Sequence, residues 1–190
     1  MTESELNFDT LALHGGYTPD AEAHATSVPI YQTTSYVYDS ADDAASQFAL
    51  EKPGQLYTRF TNPTTAVLED RLALLEGGVG AVAVSSGMAA INYALENLTV
   101  AGDHIVAANT LYGGTHNLLA TAYPRRGVTT TFVDIDDWVA VTNAIQANTK
   151  ALYVELIGNP NSNIADLTVL ADIAHEAGIP LIVDNTFVTA

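Results

Sequence analysis

With 190 residues, 48% of them hydrophobic, the chain can bury the core of one domain or a little more, and no apolar run approaches the length of a membrane span. Its formal net charge of −16, from 22 acidic residues against 6 Lys and Arg, excludes nucleic acid as a partner; the dispersed acids read as a solvated, self-repelling surface. The absence of cysteine excludes disulfides and thiolate metal sites, and together with the acidic opening Met1-Thr2-Glu3-Ser4-Glu5 it gives the expectation of a cytoplasmic protein.

Residues 1–60 show no clean periodicity. Tyr31-Gln32-Thr33-Thr34-Ser35-Tyr36 has strand propensity, and Ala41 to Phe48 reads as a short helix with Ser40 as its cap. Such a segment does not hold a core of its own, so an N-terminal arm packed on the rest of the chain or on another subunit is expected, with residues 61–190 as a separate domain.

From Asn62 the pattern alternates. Asn62 and Pro63 open a helix with Val67, Leu68, Leu72 and Leu75 on one face, stopped by Gly77-Gly78. Ala81 to Val84 reads as a buried strand, and a helix carrying Met88, Ile91, Leu95 and Leu98 follows Ser85-Ser86-Gly87. Strand Ile105 to Ala108 precedes a helix from about Thr115 that Pro124 breaks; strand Thr129 to Val133 precedes a helix beginning at Asp136 or Asp137. Strand Ala151 to Glu155 leads through Gly158-Asn159-Pro160-Asn161 to a helix with Leu167, Leu170 and Ile173. The final strand, Pro180 to Val183, ends on Asp184. This rhythm predicts an α/β fold with a mainly parallel sheet, whose carboxyl rim is where ligands bind.

Several motifs on that rim carry chemistry. Gly78-Val79-Gly80 precedes its strand, where a dinucleotide fingerprint must follow one, and reads as a helix stop. Asp134-Ile135-Asp136-Asp137 begins like a calcium loop, but Trp138 takes the next ligand position and no glycine follows, so capping is the better account. The Ser85-Ser86-Gly87-Met88 junction is either an anion site at a helix N-terminus or an ordinary capped turn. Ser86 lacks the nucleophile-elbow context. Tyr112 in Leu111-Tyr112-Gly113-Gly114-Thr115 either stacks on a flat heterocycle or packs beside a glycine turn; His116, inside the next helix, reads as a surface or satisfied histidine. Arg59 suits a phosphate or carboxylate, or else pairs with one of the many acids. Asp184, at the edge of an apolar core, requires a cationic or hydrogen-bonding partner, and a cofactor qualifies.

Taken together, Tyr57-x-Arg59-x-x-Asn62-Pro63-Thr64, Ser85-Ser86-Gly87-Met88-Ala89-Ala90, Tyr112-Gly113-Gly114-Thr115, Glu155-x-x-Gly158-Asn159-Pro160 and Val183-Asp184-Asn185-Thr186-Phe187 resemble the signatures of the pyridoxal-phosphate-dependent enzymes of Cys/Met metabolism, of fold type I. Phe8-Asp9-Thr10-Leu11-x-Leu13-His14-x-Gly16 and Val28-Pro29-Ile30-Tyr31-Gln32-Thr33-Thr34-Ser35 resemble, within that family, its O-acetylhomoserine sulfhydrylases. The resemblance implies a large-domain fold and pyridoxal 5'-phosphate as cofactor. Gly87 and Met88 would donate backbone N–H groups to its phosphate, Tyr112 would stack on its ring, Asp184 would pair with the ring nitrogen, and Asn159 and Thr186 would lie on the ring-hydroxyl side. Tyr57 and Arg59 would reach the phosphate in a neighbouring subunit of a homodimer or homotetramer.

The implied reaction is γ-replacement on O-acetylhomoserine by sulfide or a thiol, with Tyr112 as a candidate acid/base and the protonated ring as electron sink. A β- or γ-lyase shares these cofactor residues and stands as the alternative, as does a non-catalytic partner chain. One departure is large. The family's cofactor-binding lysine lies in a Ser-x-Thr-Lys segment beyond the aspartate strand, whereas the lysines here are Lys52 and Lys150, the latter on the opposite rim. The chain is therefore expected to represent the N-terminal part of such an enzyme, without replacement activity alone.

Overall fold

The computed structural model describes residues 6–188. Contacts gather them into two units, residues 6–83 and 84–188.

In the first unit, α1 (Phe8–His14), α2 (Ala41–Phe48) and α3 (Pro63–Leu75) are joined by long extended segments. Side-chain caps set two of the helix starts. Ser40 Oγ accepts the Asp43 N–H at α2, and Asn62 Oδ1 accepts the Thr64 N–H at α3, where Pro63 supplies a preset φ. Asn62 also holds the arm: its Nδ2 donates to the Tyr31 carbonyl at 2.9 Å and to the Thr58 hydroxyl at 3.1 Å. Thr64 Oγ1 donates to the Pro29 carbonyl at 2.7 Å and accepts the Tyr31 N–H at 2.9 Å. The extended 29–31 segment is thus tied to the start of α3 on both its polar edges. Helix α1 packs on α3, with Arg71 Nε donating to the Gly15 carbonyl at 2.8 Å.

Two expected strands do not form here. The Tyr31 to Tyr36 stretch makes one isolated antiparallel bridge, Ser35 with Tyr57, because its neighbour does not run alongside it. Ala81 to Val84 has the composition of a buried strand, yet it has no ladder, and Val82 is 82% exposed. A strand exists only where a neighbour takes its backbone bonds; here the Ala83 N–H is taken instead by Glu69 Oε1 at 2.7 Å.

The second unit is the expected α/β arrangement. Strands β1 (His104–Ala108), β2 (Thr129–Val133), β3 (Thr149–Glu155) and β4 (Leu181–Asp184) form a parallel sheet in the order β2-β1-β3-β4. Helices α4 (Gly87–Leu98), α5 (Gly113–Asn117), α6 (Tyr123–Arg125), α7 (Trp138–Ala144) and α8 (Leu167–Glu176) connect them. The fully buried run of β1 and the Ala151 to Val154 core of β3 explain why both read as continuous apolar segments. Leu95, Leu119, Val141 and Leu170 close over them from the helices, each burial contributing about 2 kcal/mol.

Pro124 does not break the helix after β1. That helix starts at Gly113, passes through a π-helical stretch at Leu118–Ala122 and ends in α6 with Pro124 inside it. The wider turn just before the proline relieves the clash of its ring with the preceding carbonyl, and Gly127, at φ +83°, ends the segment.

His104 ties three strands together at their amino ends. It is 1% exposed; its Nδ1 lies 2.8 Å from Thr149 Oγ1 on β3 and its Nε2 lies 2.9 Å from Thr131 Oγ1 on β2. Gln146 Nε2 approaches at 3.4 Å, and the Asp103 to Lys150 ion pair, 3.8 Å, sits beside it on the same rim. Burial holds the imidazole below its ordinary value, so the unfolded chain binds that proton more tightly than the folded one. The stabilisation is complete above about pH 6.5 and is lost as the pH falls below it. His104→Ala should cost about 1–3 kcal/mol by leaving buried hydroxyls unpaired. Urea denaturation between pH 8 and pH 5 should show wild-type stability declining more steeply than that of His104→Gln.

Candidate functional site

At the other end of the sheet, β3 and β4 finish side by side on acids. Glu155 and Asp184 are register partners, and parallel neighbours in register present their side chains to the same face. The Asp184 carboxylate takes three donors: the Tyr153 hydroxyl at 3.4 Å, the Thr186 N–H at 3.0 Å and the Thr186 hydroxyl at 2.5 Å. Two come from the turn that directly follows β4, so the loop folds back to hold the acid. Tyr153 is fully buried, and burial first, then the negative charges of Asp184 and Glu155, push its phenol up. It acts here as a donor and not as a base.

Glu155 has a single donor, the Tyr112 backbone N–H, 2.5 Å from Oε1. Burial pushes its carboxyl up, the Tyr112 N–H opposes this, and the charge of Asp184 adds to the upward shift. The two acids therefore differ in kind. Asp184 is dressed with donors and open to a cation, whereas Glu155 is nearly enclosed.

A cavity of about 460 Å³ opens in front of them. Six residues named from the sequence line it: Gly87, Met88, Tyr112, Asn159, Asp184 and Thr186. Gly87 and Met88 begin α4, whose cap is Ser86 Oγ on the Ala89 N–H at 3.1 Å. Their first-turn N–H groups have no intrahelical acceptor, and the helix dipole points its positive end into the cavity. A Cβ at Gly87 would meet nothing within 4 Å, so space lies beside those donors. Tyr112, half exposed, presents its ring to the cavity. Ile91, Ile157 and Phe187 complete an apolar lining. An anion-binding helix start, an aromatic face and a donor-held carboxylate around one apolar space fit a flat, cationic ring bearing a phosphate.

Tyr57 and Arg59 do not line this cavity; they lie in the first unit. Arg59 Cζ stands 5.2 Å from the Tyr57 ring centroid and 5.4 Å from that of Phe60, and among the described residues no carboxylate pairs with it. Lys52 pairs with Asp43, and Lys150 lies on β3 at the rim opposite the cavity. The Asp137 carboxylate caps α7 through the Ala140 N–H, as read from the sequence, and exposed His116 stacks on Phe132 with ring centroids 4.6 Å apart. Glu155 and Tyr153 received no role from the sequence. The signal was present for Glu155, an acid ending a buried apolar run as Asp184 does.

The family described as Cys/Met metabolism PLP-dependent enzyme matches residues 9–190. A homocysteine synthase of Schizosaccharomyces pombe is 51% identical over 185 residues, which cover 97% of this chain and 43% of that protein. An O-acetyl-L-homoserine sulfhydrylase of Corynebacterium glutamicum is 47% identical over 190 residues, covering 98% of this chain and 43% of that protein. A crystal structure from Campylobacter jejuni, described as an O-acetylhomoserine (thiol)-lyase with N'-pyridoxyl-lysine-5'-monophosphate, matches at TM-score 0.93 and 43% identity over 97% of this chain and 45% of that one. The chain thus spans less than half the length of these proteins.

The loop that carries Asn159 depends on Gly158. Its N–H donates to the Asn163 carbonyl at 2.8 Å, and its carbonyl accepts the Ser162 N–H at 2.7 Å. A Cβ there would stand 2.3 Å from Asn163 Oδ1 and 2.6 Å from Thr110 Oγ1. Gly158→Ala should displace the loop and cost about 1–3 kcal/mol, read as a lowered urea midpoint.

Proposed function

The chain belongs to the Cys/Met-metabolism family of pyridoxal-phosphate-dependent enzymes, and from that membership we propose that the complete gene product replaces the γ-acetoxy group of O-acetylhomoserine with sulfide or a thiol. The products are acetate and homocysteine, or the corresponding thioether amino acid; one C–O bond breaks and one C–S bond forms. The observation that carries the cofactor site is the single rim on which Asp184, Tyr112 and the start of α4 converge. Support for the substrate comes from what the similar proteins are named for.

Each residue has a role set by its placement. The N–H groups of Gly87 and Met88 hold the phosphate, and the Tyr112 ring stacks on the pyridine face. Asp184, oriented by Tyr153 and Thr186, keeps the ring nitrogen protonated. Bound there, the cofactor supplies an electron sink that stabilises negative charge at the amino acid's α carbon. The Tyr112 phenol, on a half-exposed side chain that lines the cavity, is the candidate acid/base for the substrate's α proton. Asn159 and Thr186 face the ring-hydroxyl side, and Ile91, Ile157 and Phe187 keep water from the reacting atoms.

Tyr57 and Arg59 serve a second copy of the chain in a homodimer or homotetramer, reaching the phosphate of its cofactor. The support is a guanidinium that no carboxylate pairs with among the described residues, in a chain with 22 acids, braced by two aromatic rings.

The complete gene product, given pyridoxal 5'-phosphate, O-acetylhomoserine and sulfide, should form homocysteine and acetate well above a cofactor-only control. Asp184→Ala should lower turnover by about 100-fold or more. Release of ammonia and a 2-oxo acid from cystathionine or methionine, with no homocysteine from O-acetylhomoserine, would replace this reading by a lyase. Co-assembly tests the shared site: Arg59→Ala and Asp184→Ala subunits, each inactive alone, should regain turnover when refolded together, since one site of the hybrid then has both native groups.

A further inference from the structure

Among the residues at the rim, Glu155 is the one to which the cofactor reading assigns nothing. It is 5% exposed, and its Oε1 accepts the Tyr112 N–H at 2.5 Å. Tyr112 stands at the N-cap of α5 without a side-chain cap, at φ −48° and ψ 135°, and Gly113 and Gly114 follow it. Its carbonyl accepts the His116 N–H at 2.9 Å, and its ring lies over Gly114, where a Cβ would meet Tyr112 Cε1 at 2.6 Å. The ring therefore rests on a bare glycine, and at Tyr112 itself the backbone is held to the sheet by the Glu155 carboxyl, between the Asn109 N–H, which donates to the Val133 carbonyl at 2.8 Å, and the buried Thr115.

We propose that Glu155 is a positioning residue: by accepting the Tyr112 N–H it fixes where the Tyr112 ring stands over the cavity, and hence where a bound pyridine ring stacks. This rests on the pyridoxal-phosphate reading of the cavity. A glutamate is long enough to cross from the end of β3 to the turn after β1, the strand beside it in the sheet. The other ionisable groups around it are Asp184 on β4, Tyr153 on its own strand and the Tyr112 phenol, and among the described residues no Lys, Arg or His lines the cavity. Burial pushes the Glu155 carboxyl up, the Tyr112 N–H opposes this and Asp184 adds to it; the bond to Tyr112 needs an oxygen acceptor at that place and not a charge. A neutral amide oxygen at the same place accepts the same bond. Glu155→Gln therefore preserves the placement, and Glu155→Ala leaves the Tyr112 N–H without its acceptor.

The test is a titration of the complete gene product, stripped of cofactor, with pyridoxal 5'-phosphate, followed by the absorbance of the bound form, alongside hydrogen exchange of segment 112–116. Glu155→Ala should raise Kd about tenfold or more and speed exchange in that segment, while Glu155→Gln stays within about threefold of wild type on both. In a Tyr112→Ala background, Glu155→Ala should add less than about threefold, since the effect runs through the ring. Glu155→Ala binding like wild type, Glu155→Gln binding as weakly as Glu155→Ala, or full additivity with Tyr112→Ala would each overturn the proposal. Should Glu155→Ala fail to fold, Glu155→Gln decides: near-native Kd and exchange uphold the role, and tenfold weaker binding refutes it. A wild-type protein that binds no pyridoxal phosphate overturns the cofactor reading and this role together, whereas wild-type binding with an indifferent Glu155→Ala overturns this role alone.

Discussion

Everything at the cavity depends on how two carboxyls at neighbouring strand ends are kept from opposing each other. Glu155 and Asp184 are brought together by the register of β3 and β4, and a register of parallel strands offers no way to separate them. The separation is chemical instead. Asp184 accepts from a phenol, a hydroxyl and a backbone N–H. Glu155 takes one N–H and is otherwise enclosed. The asymmetry leaves one acid ready to face a cation and gives the other to the architecture.

The opposite rim handles a buried polar group in a different way. His104 spans β1, β2 and β3 through two threonine hydroxyls, and no formal charge is needed to satisfy it. This clasp is a stability element, and the candidate site lies at the other end of the sheet. The two ends are coupled only through the strands themselves, which are apolar and fully buried along β1 and in the Ala151 to Val154 core of β3. A sheet of this kind transmits position well and charge poorly.

How far the sequence reveals this depends on whether a residue's role is local. Ser40, Asn62 and Asp137 act within three residues of themselves, so their caps are legible from residue type and spacing. Strands β1 and β3 are legible because burial on both faces writes a continuous apolar run. Ala81 to Val84 carries the same signature and forms no ladder, since composition states a preference and not the presence of a neighbour. Pro124 reads as a breaker because a π-helical turn upstream leaves no simple mark. At the site, Gly87, Met88, Tyr112, Asn159, Asp184 and Thr186 converge as their motifs suggest, since each follows or caps a predicted element. Tyr153 and Glu155 go unread because their roles are relations across strands, a phenol reaching Asp184 and a carboxyl reaching Tyr112, at separations of 31 and 43 residues.

The same relations explain why the cavity favours a cationic guest over a neutral one. The Asp184 carboxyl, with the Glu155 carboxyl beside it in register, gives an acidic edge to a space whose lining includes the apolar Ile91, Ile157 and Phe187. A cation beside Asp184 would relieve its negative potential directly, and it would also reduce the influence of Asp184 on Glu155, one of the two causes that push the buried carboxyl up. The positive end of α4 opens on the same cavity, so a ligand carrying both a cation and a phosphate would find each of its charges opposed by a fixed group of opposite sign. A neutral heterocycle of the same shape would gain the stacking and the apolar contacts and forgo both electrostatic terms. The charge arrangement of the cavity, like its shape, is thus set by the strand register and by the start of one helix.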